Sequence, residues 1–220
     1  MANYGKPDHF TLKAQKEGYP ARSVYKLKEI DEKFSLLQFR QGSLSTFRVL
    51  DLGAAPGSWS LYILRKLAAH ASKNADAQTP NAEPSLVSVD LTPLSRQYDE
   101  GLFDKPEFLF IQGDFTQDEI REEILSHGPY KLLVSDAAPS TTGNRSIDTL
   151  RSLELAETAL NYAESALVKG GDFVVKVFQG GDTGNLLKKI RGLFESGKSF
   201  KPQTCRSESF ETYYLGLGKR

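Results

Sequence analysis

The amino-acid sequence predicts an α/β fold with a mostly parallel sheet of about seven strands flanked by helices. Short apolar segments alternate with segments of helical periodicity along the 220-residue chain. Several of the apolar segments end in aspartate, and the first continues into a glycine-rich turn that opens a helix. Strands that alternate with helices are typical of a parallel sheet with both faces covered.

The elements can be placed in chain order from these patterns. Predicted strands span residues 48–52, 86–90, 108–114, 132–136, 172–178 and 211–217. Predicted helices span residues 22–39, 59–69, 148–168 and 185–194, and Gly170 with Gly171 is expected to end the third. In the first helix Lys26 lies beside the apolar face, so we expect it to point to the seam between helix and sheet. The stretch 68–84, rich in Ala, Ser, Asn and Pro, is expected to be a mobile surface insertion.

Length and composition narrow the class of protein. They predict a single domain, residues 1–220, in which a basic N-terminal extension, residues 1–47, precedes a core, residues 48–220. One Cys and three scattered His residues argue against a disulfide framework and against a metal site. No segment has the apolar length of a membrane span or of a signal peptide, which predicts a cytoplasmic protein that does not bind membranes.

The charge is unevenly distributed, although its formal net value is zero. Residues 1–48 contain nine Lys and Arg against five Asp and Glu, and residues 186–220 contain eight against three. The centre, residues 49–185, contains eleven against twenty. Basic ends could bind a polyanion while the acidic centre holds a small or cationic ligand. Ordinary solvated faces would give the same count.

Four aspartates close four predicted strands, and they point to a ligand site. Asp51, Asp90, Asp114 and Asp136 are expected to meet at the carboxyl edge of the sheet, where open α/β sheets bind ligands. The first turn lacks the Gly-x-Gly-x-x-Gly pattern of dinucleotide folds. The cluster suits a cofactor with a cationic sulfonium and ribose hydroxyls, with Asp90 on the ribose and Asp114-Phe115 on an adenine. The alternative is that these aspartates cap helices.

Lys176 is the most informative single residue. It lies inside the apolar strand Phe173-Val-Val-Lys-Val-Phe178, where a lysine is normally excluded unless it is paired. The alternative is a lysine that extends its charge to solvent from near the strand end.

The chain closely resembles the FtsJ/RrmJ family of RNA ribose 2′-O-methyltransferases in three segments: Asp51-Leu-Gly-Ala-Ala-Pro-Gly-Ser-Trp-Ser60, Ser135-Asp-Ala-Ala-Pro139 and Phe173-Val-Val-Lys-Val-Phe-Gln179. The resemblance runs from about Ala21 to the C-terminus. It implies the Rossmann-like methyltransferase fold and S-adenosyl-L-methionine as cofactor. The chain departs from the family in having Gly57-Ser58-Trp59 for Gly-Gly-Trp and in the length of the 68–84 insertion.

The resemblance also implies site residues. A catalytic group of two lysines and two acids maps onto Lys26, Asp136, Lys176 and Glu211, with Glu208 as a rival for the last position. Lys176 would take the proton of a ribose hydroxyl or steer that hydroxyl as a charged donor, and the two acids would orient the lysines. The residues expected to contact the cofactor are Gly53, Ala54, Pro56, Gly57, Trp59, Asp90, Leu91, Asp114, Phe115 and Asp136.

The implied partner is RNA, most specifically a uridine of 23S rRNA in the large ribosomal subunit, acted on by a monomer. The basic residues expected to track phosphates are Lys6, Lys13, Lys16, Arg22, Lys188, Lys189, Arg191, Lys198 and Lys201, and the expected stacking residues are Tyr4, Phe10, Tyr19 and Tyr25. The alternatives are a tRNA anticodon-loop ribose methyltransferase and an inactive RNA-binding module. The turn Asp136-Ala-Ala-Pro139 argues against an amine methyltransferase.

Overall fold

The computed structural model describes residues 7–39, 47–72, 85–181, 183–206 and 208–220. Within them, the strands are β1 (Val49–Leu52), β2 (Leu86–Asp90), β3 (Phe108–Gln112), β4 (Tyr130–Ser135), β5 (Leu167–Phe178), β6 (Phe194–Phe200) and β7 (Glu211–Lys219). They form one sheet in the order β3-β2-β1-β4-β5-β7-β6. β7 is antiparallel to β5 and β6, and the other neighbours are parallel. The predicted α/β fold with a mostly parallel sheet of about seven strands is confirmed.

Helices cover both faces of this sheet. In the described part of the chain they are α1 (His9–Lys16), α2 (Val24–Phe34), α3 (Ser58–Ala71), α4 (Asp118–Ser126), α5 (Arg145–Ala166) and α6 (Thr183–Leu193). Side chains of α2 and α3 pack in one hydrophobic cluster, and those of α4, α5 and α6 pack in a second. Because both faces are covered, β1 is buried at every position. None of the described helices is long and apolar enough to cross a membrane.

The N-terminal helices belong to the same core as the sheet. Ala14 of α1 and Leu27 of α2 lie in the cluster that contains Val49 of β1 and Leu215 of β7. The helical part of the basic N-terminal segment is therefore packed on the sheet. Lys26 is part of α2, one of the helices that face the strands.

The first predicted helix, residues 22–39, is shorter in the structure. α2 ends at Phe34 because Ser35 adopts a left-handed conformation and donates its N–H to Asp31 O at 2.7 Å. The buried Asp31 carboxylate then accepts the N–H of Leu37 at 2.8 Å. A side-chain acceptor thus replaces the helical backbone acceptor, and the apolar pattern continues into a turn where Leu37 is buried without being helical.

The expectation that Gly170 and Gly171 end a helix is wrong. α5 already ends at Ala166, and β5 begins at the next residue. The register between β4 and β5 shifts between Tyr130 and Leu132. A Cβ on Gly171 would come within 2.8 Å of Val168 O and 3.1 Å of Lys131 O. Glycine is needed here because two backbones approach closely at an irregularity in the strand.

Of the described α-helices and strands, three have no counterpart among the elements placed from the sequence: α1, α4 and β6. The same holds for a short 3-10 helix, Leu102–Asp104. α3 extends to Ala71, so the start of the predicted insertion is helical. The rest of that insertion, residues 73–84, lies outside the described residues, as do Tyr4 and Lys6.

Candidate active site

The carboxyl edge of the sheet forms a cavity of about 770 Å³, here called the main cavity. Its walls are the loops that follow β1, β2, β3 and β4, closed on one side by α5. β1 has β2 on one side and β4 on the other, so the chain order reverses at this point of the sheet. Such switch points are where open α/β sheets bind ligands, and the volume lies in the usual range for small-molecule sites.

The turn after β1 forms the floor of the main cavity. Gly53 has a φ of +74°, and a Cβ there would lie 2.6 Å from Cα of Ala137 in the loop after β4. The two loops therefore touch at a position that only glycine fits. The next part of the turn is fixed by Asp90, whose Oδ2 accepts the N–H of Ala55 at 2.9 Å.

Asp90 and Asp114 occupy equivalent places after neighbouring strands. Asp90 Oδ1 accepts the N–H and hydroxyl of Thr92, and Asp114 Oδ1 accepts the N–H and hydroxyl of Thr116. Both carboxylates line the main cavity, and these bonds fix local turns, so neither carboxylate caps a helix. A carboxylate can accept about four hydrogen bonds, so three bonds to Asp90 leave room for a ligand hydroxyl.

Asp51 does not join the other three aspartates. Its side chain is fully buried, and Oδ2 accepts the Ser60 hydroxyl at 2.7 Å, while Oδ1 has no hydrogen-bond partner. Burial raises the pKa of Asp51 to about 7, against the effect of the Ser60 hydroxyl. The expectation that four strand-end aspartates meet is therefore wrong for Asp51, because it lies before the end of β1 and points under α3 rather than into the cavity.

Four charged side chains meet beside the main cavity, here called the charged group. Lys26 Nζ of α2 lies 2.9 Å from both carboxylate oxygens of Glu211 of β7. Lys176 Nζ of β5 lies 3.1 Å from Asp136 Oδ1 and also donates to the backbone oxygen of Asp136. Each of the four side chains is at most 15% exposed. The two lysines and the two acids therefore neutralise each other's charge in a region that is largely shielded from water.

The sheet register explains this convergence. Lys176 of β5 is paired directly with Tyr213 of β7, so both side chains leave the same face of the sheet. The Tyr213 hydroxyl donates to Asp136 Oδ1 at 2.6 Å. Asp136 follows β4, the parallel neighbour of β5, and so reaches both partners. Tyr213 is a member of the site that the sequence reasoning missed.

The charges of the group reinforce one another. Burial alone would raise the pKa of Asp136, but Lys176, Lys26 and the Tyr213 hydroxyl outweigh it and hold that pKa below its usual value. Burial acts to lower the pKa of Lys26, but Asp136 and Glu211 together raise it above its usual value. At neutral pH Asp136 is therefore ionised and Lys26 is charged.

A second cavity of about 470 Å³, here called the side cavity, lies on the other side of the charged group. Residues 21–23 and Lys26 form one wall, and Arg206 with residues 208–211 forms the other. Glu208 also lines it, but Glu208 is exposed and no hydrogen bond or ion pair joins it to Lys26 within the described residues. The geometry therefore favours Glu211 as the partner of Lys26.

The residues expected to contact a cofactor divide into two sets. Gly53, Pro56, Asp90, Leu91, Asp114, Phe115 and Asp136 line the main cavity. Ala54, Gly57 and Trp59 do not. Trp59 is buried, donates its indole N–H to Ser23 O at 2.9 Å and lies 5.9 Å from the Tyr213 ring, so it supports α2 and β7 instead.

Gly57 and Ser58 also have structural roles behind the cavity wall. Gly57 precedes α3 with a φ of +104°. The Ser58 hydroxyl accepts the N–H of Ala21 at 2.8 Å and donates to Ala21 O at 3.1 Å. The departure from Gly-Gly-Trp therefore adds a side chain that ties the segment before α2 to α3.

Sequence reasoning missed the α5 wall of the main cavity. Arg151, Glu154, Leu155 and Thr158 line it, at the i, i+3, i+4, i+7 spacing of one helix face. That spacing was the available signal. The apolar spacing of residues 148–168 also predicts a buried Leu150, but Leu150 is 57% exposed.

Several residues expected to contact RNA are engaged within the protein. Tyr19 and Tyr25 are buried beneath Lys28, at 4.6 and 5.1 Å from their ring centres, and so do not offer free stacking faces. Arg22 binds Asp8 and the backbone oxygen of Thr204, and Lys189 lies 2.6 Å from Glu157. The exposed basic residues of the predicted set are Lys13, Lys16, Lys188, Lys189, Arg191, Lys198 and Lys201.

The sequence is similar to a known family along almost its whole length. The FtsJ-like methyltransferase family matches residues 19–219. The chain is 46% identical to ribosomal RNA large subunit methyltransferase E of Treponema denticola, over 97% of this chain and 96% of that protein. It is 45% identical to the protein of the same name from Nitratidesulfovibrio vulgaris, over 97% and 94% of the two chains.

Solved structures share the fold. A Plasmodium falciparum protein described as a ribosomal RNA methyltransferase matches with a TM-score of 0.68 and 26% identity, over 91% of this chain and 98% of that one. Human methyltransferase-like protein 13, solved in complex with SAH, has a TM-score of 0.51 at 11% identity, over 86% of this chain and 80% of that one.

Proposed function

Because the chain belongs to the FtsJ-like methyltransferase family, we propose that it methylates the ribose 2′-hydroxyl of a uridine in large-subunit ribosomal RNA. Relatives that are 46% and 45% identical are named as large-subunit ribosomal RNA methyltransferases. The observation that carries the proposal is the charged group of Lys26, Asp136, Lys176 and Glu211, which lies between the main cavity and the side cavity.

The main cavity fits the cofactor S-adenosyl-L-methionine. Bound there, it would supply a methyl group on a cationic sulfur, which is open to attack by an oxygen nucleophile. Asp90 keeps capacity to accept a ribose hydroxyl, and Asp114 with Phe115 offers an acceptor and an aromatic wall for an adenine. The remaining contacts that we assign to the cofactor come from four other residues that line the main cavity: Gly53, Pro56, Leu91 and Asp136.

The charged group prepares the ribose hydroxyl for attack. Lys176 Nζ donates a hydrogen bond to the backbone oxygen of Asp136 and forms an ion pair with Asp136 Oδ1 at 3.1 Å. To act as a base, the Lys176 ammonium of this ion pair must first release one proton to solvent; the neutral amine then keeps two N–H groups and has a lone pair for the hydroxyl proton. We assign Lys176 as the base that takes this proton as the oxygen–methyl bond forms and the sulfur–methyl bond breaks.

Lys26 has a different role because it stays charged. Its ammonium is held by both oxygens of Glu211 and opens on the side cavity. There it would orient the incoming ribose and its phosphate, so that the hydroxyl is held close to Lys176. All four residues come from one chain, which supports action as a monomer, and a ribosomal substrate supports a cytoplasmic location.

The test is transfer of labelled methyl to unmodified large ribosomal subunits and to unmodified tRNA in parallel, with the modified nucleoside mapped by mass spectrometry. We expect 2′-O-methyluridine in 23S rRNA, and loss of the label with Lys176→Ala. Label in tRNA alone would overturn the substrate and keep the chemistry. Absence of label in both, with cofactor still bound, would favour an RNA-binding module.

A further inference from the structure

Phe210 combines an aromatic ring with a nearby cation on the wall of the side cavity. The ring centre lies 4.7 Å from that of Phe178 at an interplanar angle of 59°, and the Arg145 guanidinium lies 5.0 Å from the Phe210 ring centre. Phe178 is buried, whereas Phe210 is only partly buried and Arg145 is exposed. The partly exposed ring of Phe210 therefore packs on the buried ring of Phe178 and contacts the exposed guanidinium of Arg145.

The backbone holds Phe210 in a fixed position. Its carbonyl oxygen accepts the N–H of Gln179 at 2.7 Å, which continues the ladder between β5 and β7. The next pair in that ladder joins Phe178 to Glu211. Phe210 is therefore attached directly to a member of the charged group, on a backbone fixed by two strands. A residue that is already ordered favours binding, because the substrate does not have to offset the entropic cost of ordering the site.

The position of Phe210, next to Glu211 on the wall of the side cavity, fits a base site. In a nucleotide, the carbon that carries the 2′-hydroxyl is bonded to the carbon that carries the base. If the 2′-hydroxyl is placed at the charged group, the base of the same nucleotide must contact residues that directly adjoin the charged group. Of the residues that line the side cavity, Phe210 is the aromatic one. RNA-binding proteins recognise unpaired bases by stacking them on aromatic rings and arginine planes.

We propose that Phe210 and Arg145 form the binding site for the base of the methylated nucleotide, with the guanidinium shifting outward so that the base stacks between it and the ring. This inference rests on the proposed function and adds the part of the enzyme that holds the base. The competing explanation is that Phe210 only packs on Phe178 and that Arg145 only shields it from water.

Substitutions at Phe210 separate the two explanations. Phe210→Leu keeps the apolar contact with Phe178 and removes the aromatic face, whereas Phe210→Trp enlarges that face. Stacking of one base contributes about 1–3 kcal/mol, so Phe210→Leu should lower kcat/KM on unmodified large subunits by roughly 5- to 150-fold. Phe210→Trp should keep most of the activity, and cofactor affinity should be unchanged in both variants.

Phe103 provides a matched control. It has the same kinds of contact, with Phe108 at 4.7 Å and Arg96 at 5.9 Å, but it lines neither the main nor the side cavity. Phe103→Leu should lower the unfolding temperature without changing kcat/KM per folded enzyme. Equal activities for Phe210→Leu and wild type, or equal losses for Phe210→Leu and Phe210→Trp, would overturn the base site.

A binding measurement keeps the inference testable without turnover. A short single-stranded RNA that contains one 2-aminopurine ribonucleotide is titrated with enzyme in the presence of S-adenosylhomocysteine. Stacking on Phe210 should quench the fluorescence with wild type, and Phe210→Leu and Arg145→Ala should both reduce the quenching. Equal quenching by all three proteins would overturn the base site. Because this readout needs no methyl transfer, it distinguishes failure of the base site from failure of the proposed ribosomal substrate.

Discussion

At the scale of single residues, Lys176 decides between two mechanisms. A lysine can give up its proton and act as a base, whereas arginine keeps its charge at any pH that the fold tolerates. If Lys176 takes the hydroxyl proton, Lys176→Arg should lower kcat by about 10²- to 10⁴-fold, as Lys176→Ala should, because general-base catalysis contributes about that much.

Single-turnover methyl transfer and cofactor binding are the measurements for the Lys176 variants. Cofactor affinity should be retained, since Asp136 keeps the Tyr213 hydroxyl as a partner. If Lys176→Arg kept most of the activity while Lys176→Ala lost it, steering of the hydroxyl by a positive charge would replace the base in the mechanism.

Asp51 predicts a pH dependence of stability. The pKa of Asp51 is about 7 in the folded chain, against the usual 3.8. Between these two pH values the folded state therefore keeps the Asp51 proton, whereas the unfolded state has released it. Stability from this group is therefore present at low pH and is lost as the pH rises from about 4 to about 7. The loss is at most roughly 4 kcal/mol.

Chemical denaturation of wild type and Asp51→Asn across this range tests the prediction. Asparagine has no proton to release, so the variant should gain stability relative to wild type as the pH rises. The constant cost of the substitution cancels in the comparison between pH values. Parallel curves for the two proteins would show that Asp51 does not titrate in the folded chain.

At the scale of elements, the turn after β1 controls how closely two loops approach. Gly53→Ala would place a Cβ 2.6 Å from Cα and Cβ of Ala137, so the loop after β1 or the loop after β4 must move. Because both loops line the main cavity, cofactor affinity should fall by at least 10-fold, roughly the effect of 1.4 kcal/mol.

Gly101→Ala is the matched control for Gly53→Ala. Gly101 has a φ of +75°, close to the +74° of Gly53, but a Cβ there meets no atom within 4 Å. Both variants should lose roughly 1–2 kcal/mol of stability from the left-handed backbone, and only Gly53→Ala should lose cofactor affinity in calorimetric titration. Equal affinity losses would refute the loop contact as the cause.

The elements also show where sequence patterns fail. The apolar residues of 22–39 have helical spacing throughout, yet Asp31 ends α2 by accepting the Leu37 N–H through its side chain. A hydropathy pattern does not register this competition between side-chain and backbone acceptors. α1 and α4 are short, with one buried residue each, so their apolar stripes are too weak to be found. β6 alternates poorly because only its first position is buried and the others are partly buried or exposed.

At the scale of the whole molecule, the fold joins the two basic ends of the chain. Phe34 of α2 and Phe200 of β6 lie 5.6 Å apart, and Lys33 and Lys198 lie 4.3 and 5.9 Å from the opposing rings. Phe200 pairs with Tyr213, the neighbour of the charged group. The basic ends therefore form one surface near the proposed site of reaction.

The double variant Lys33→Ala, Lys198→Ala should weaken binding to ribosomal RNA and reduce its salt dependence. Each lost phosphate contact lowers the slope of log K against log salt by about 0.7–0.9. Lys169→Ala should leave that slope unchanged, because Lys169 lies near the start of β5, at the other end of the strand from Lys176. The measurement is a salt series of equilibrium binding, and equal slopes for both variants would remove this surface from the RNA interface.

The sequence by itself determined the class of fold, the order of most elements and the identity of the charged residues. Local periodicity fixes strands and helices, and a lysine inside the apolar strand 173–178 is unusual enough to identify from its neighbours alone. The resemblance to a family supplied the chemistry of the group and its acidic partners.

Only the tertiary structure decided which of these residues meet. Asp51 and Trp59 belong to the same motif as Gly53, yet they lie behind the cavity wall, because Asp51 accepts the Ser60 hydroxyl of α3 and Trp59 donates its indole N–H to Ser23 O. Glu211 rather than Glu208 reaches Lys26, since the β5–β7 register sets which residue faces the helix. Three features of the site depend on contacts between segments far apart in the chain: the bond from Tyr213 to Asp136, the α5 wall of the main cavity and the contact of Phe210 with Arg145. Such contacts depend on register and packing, which no local pattern encodes.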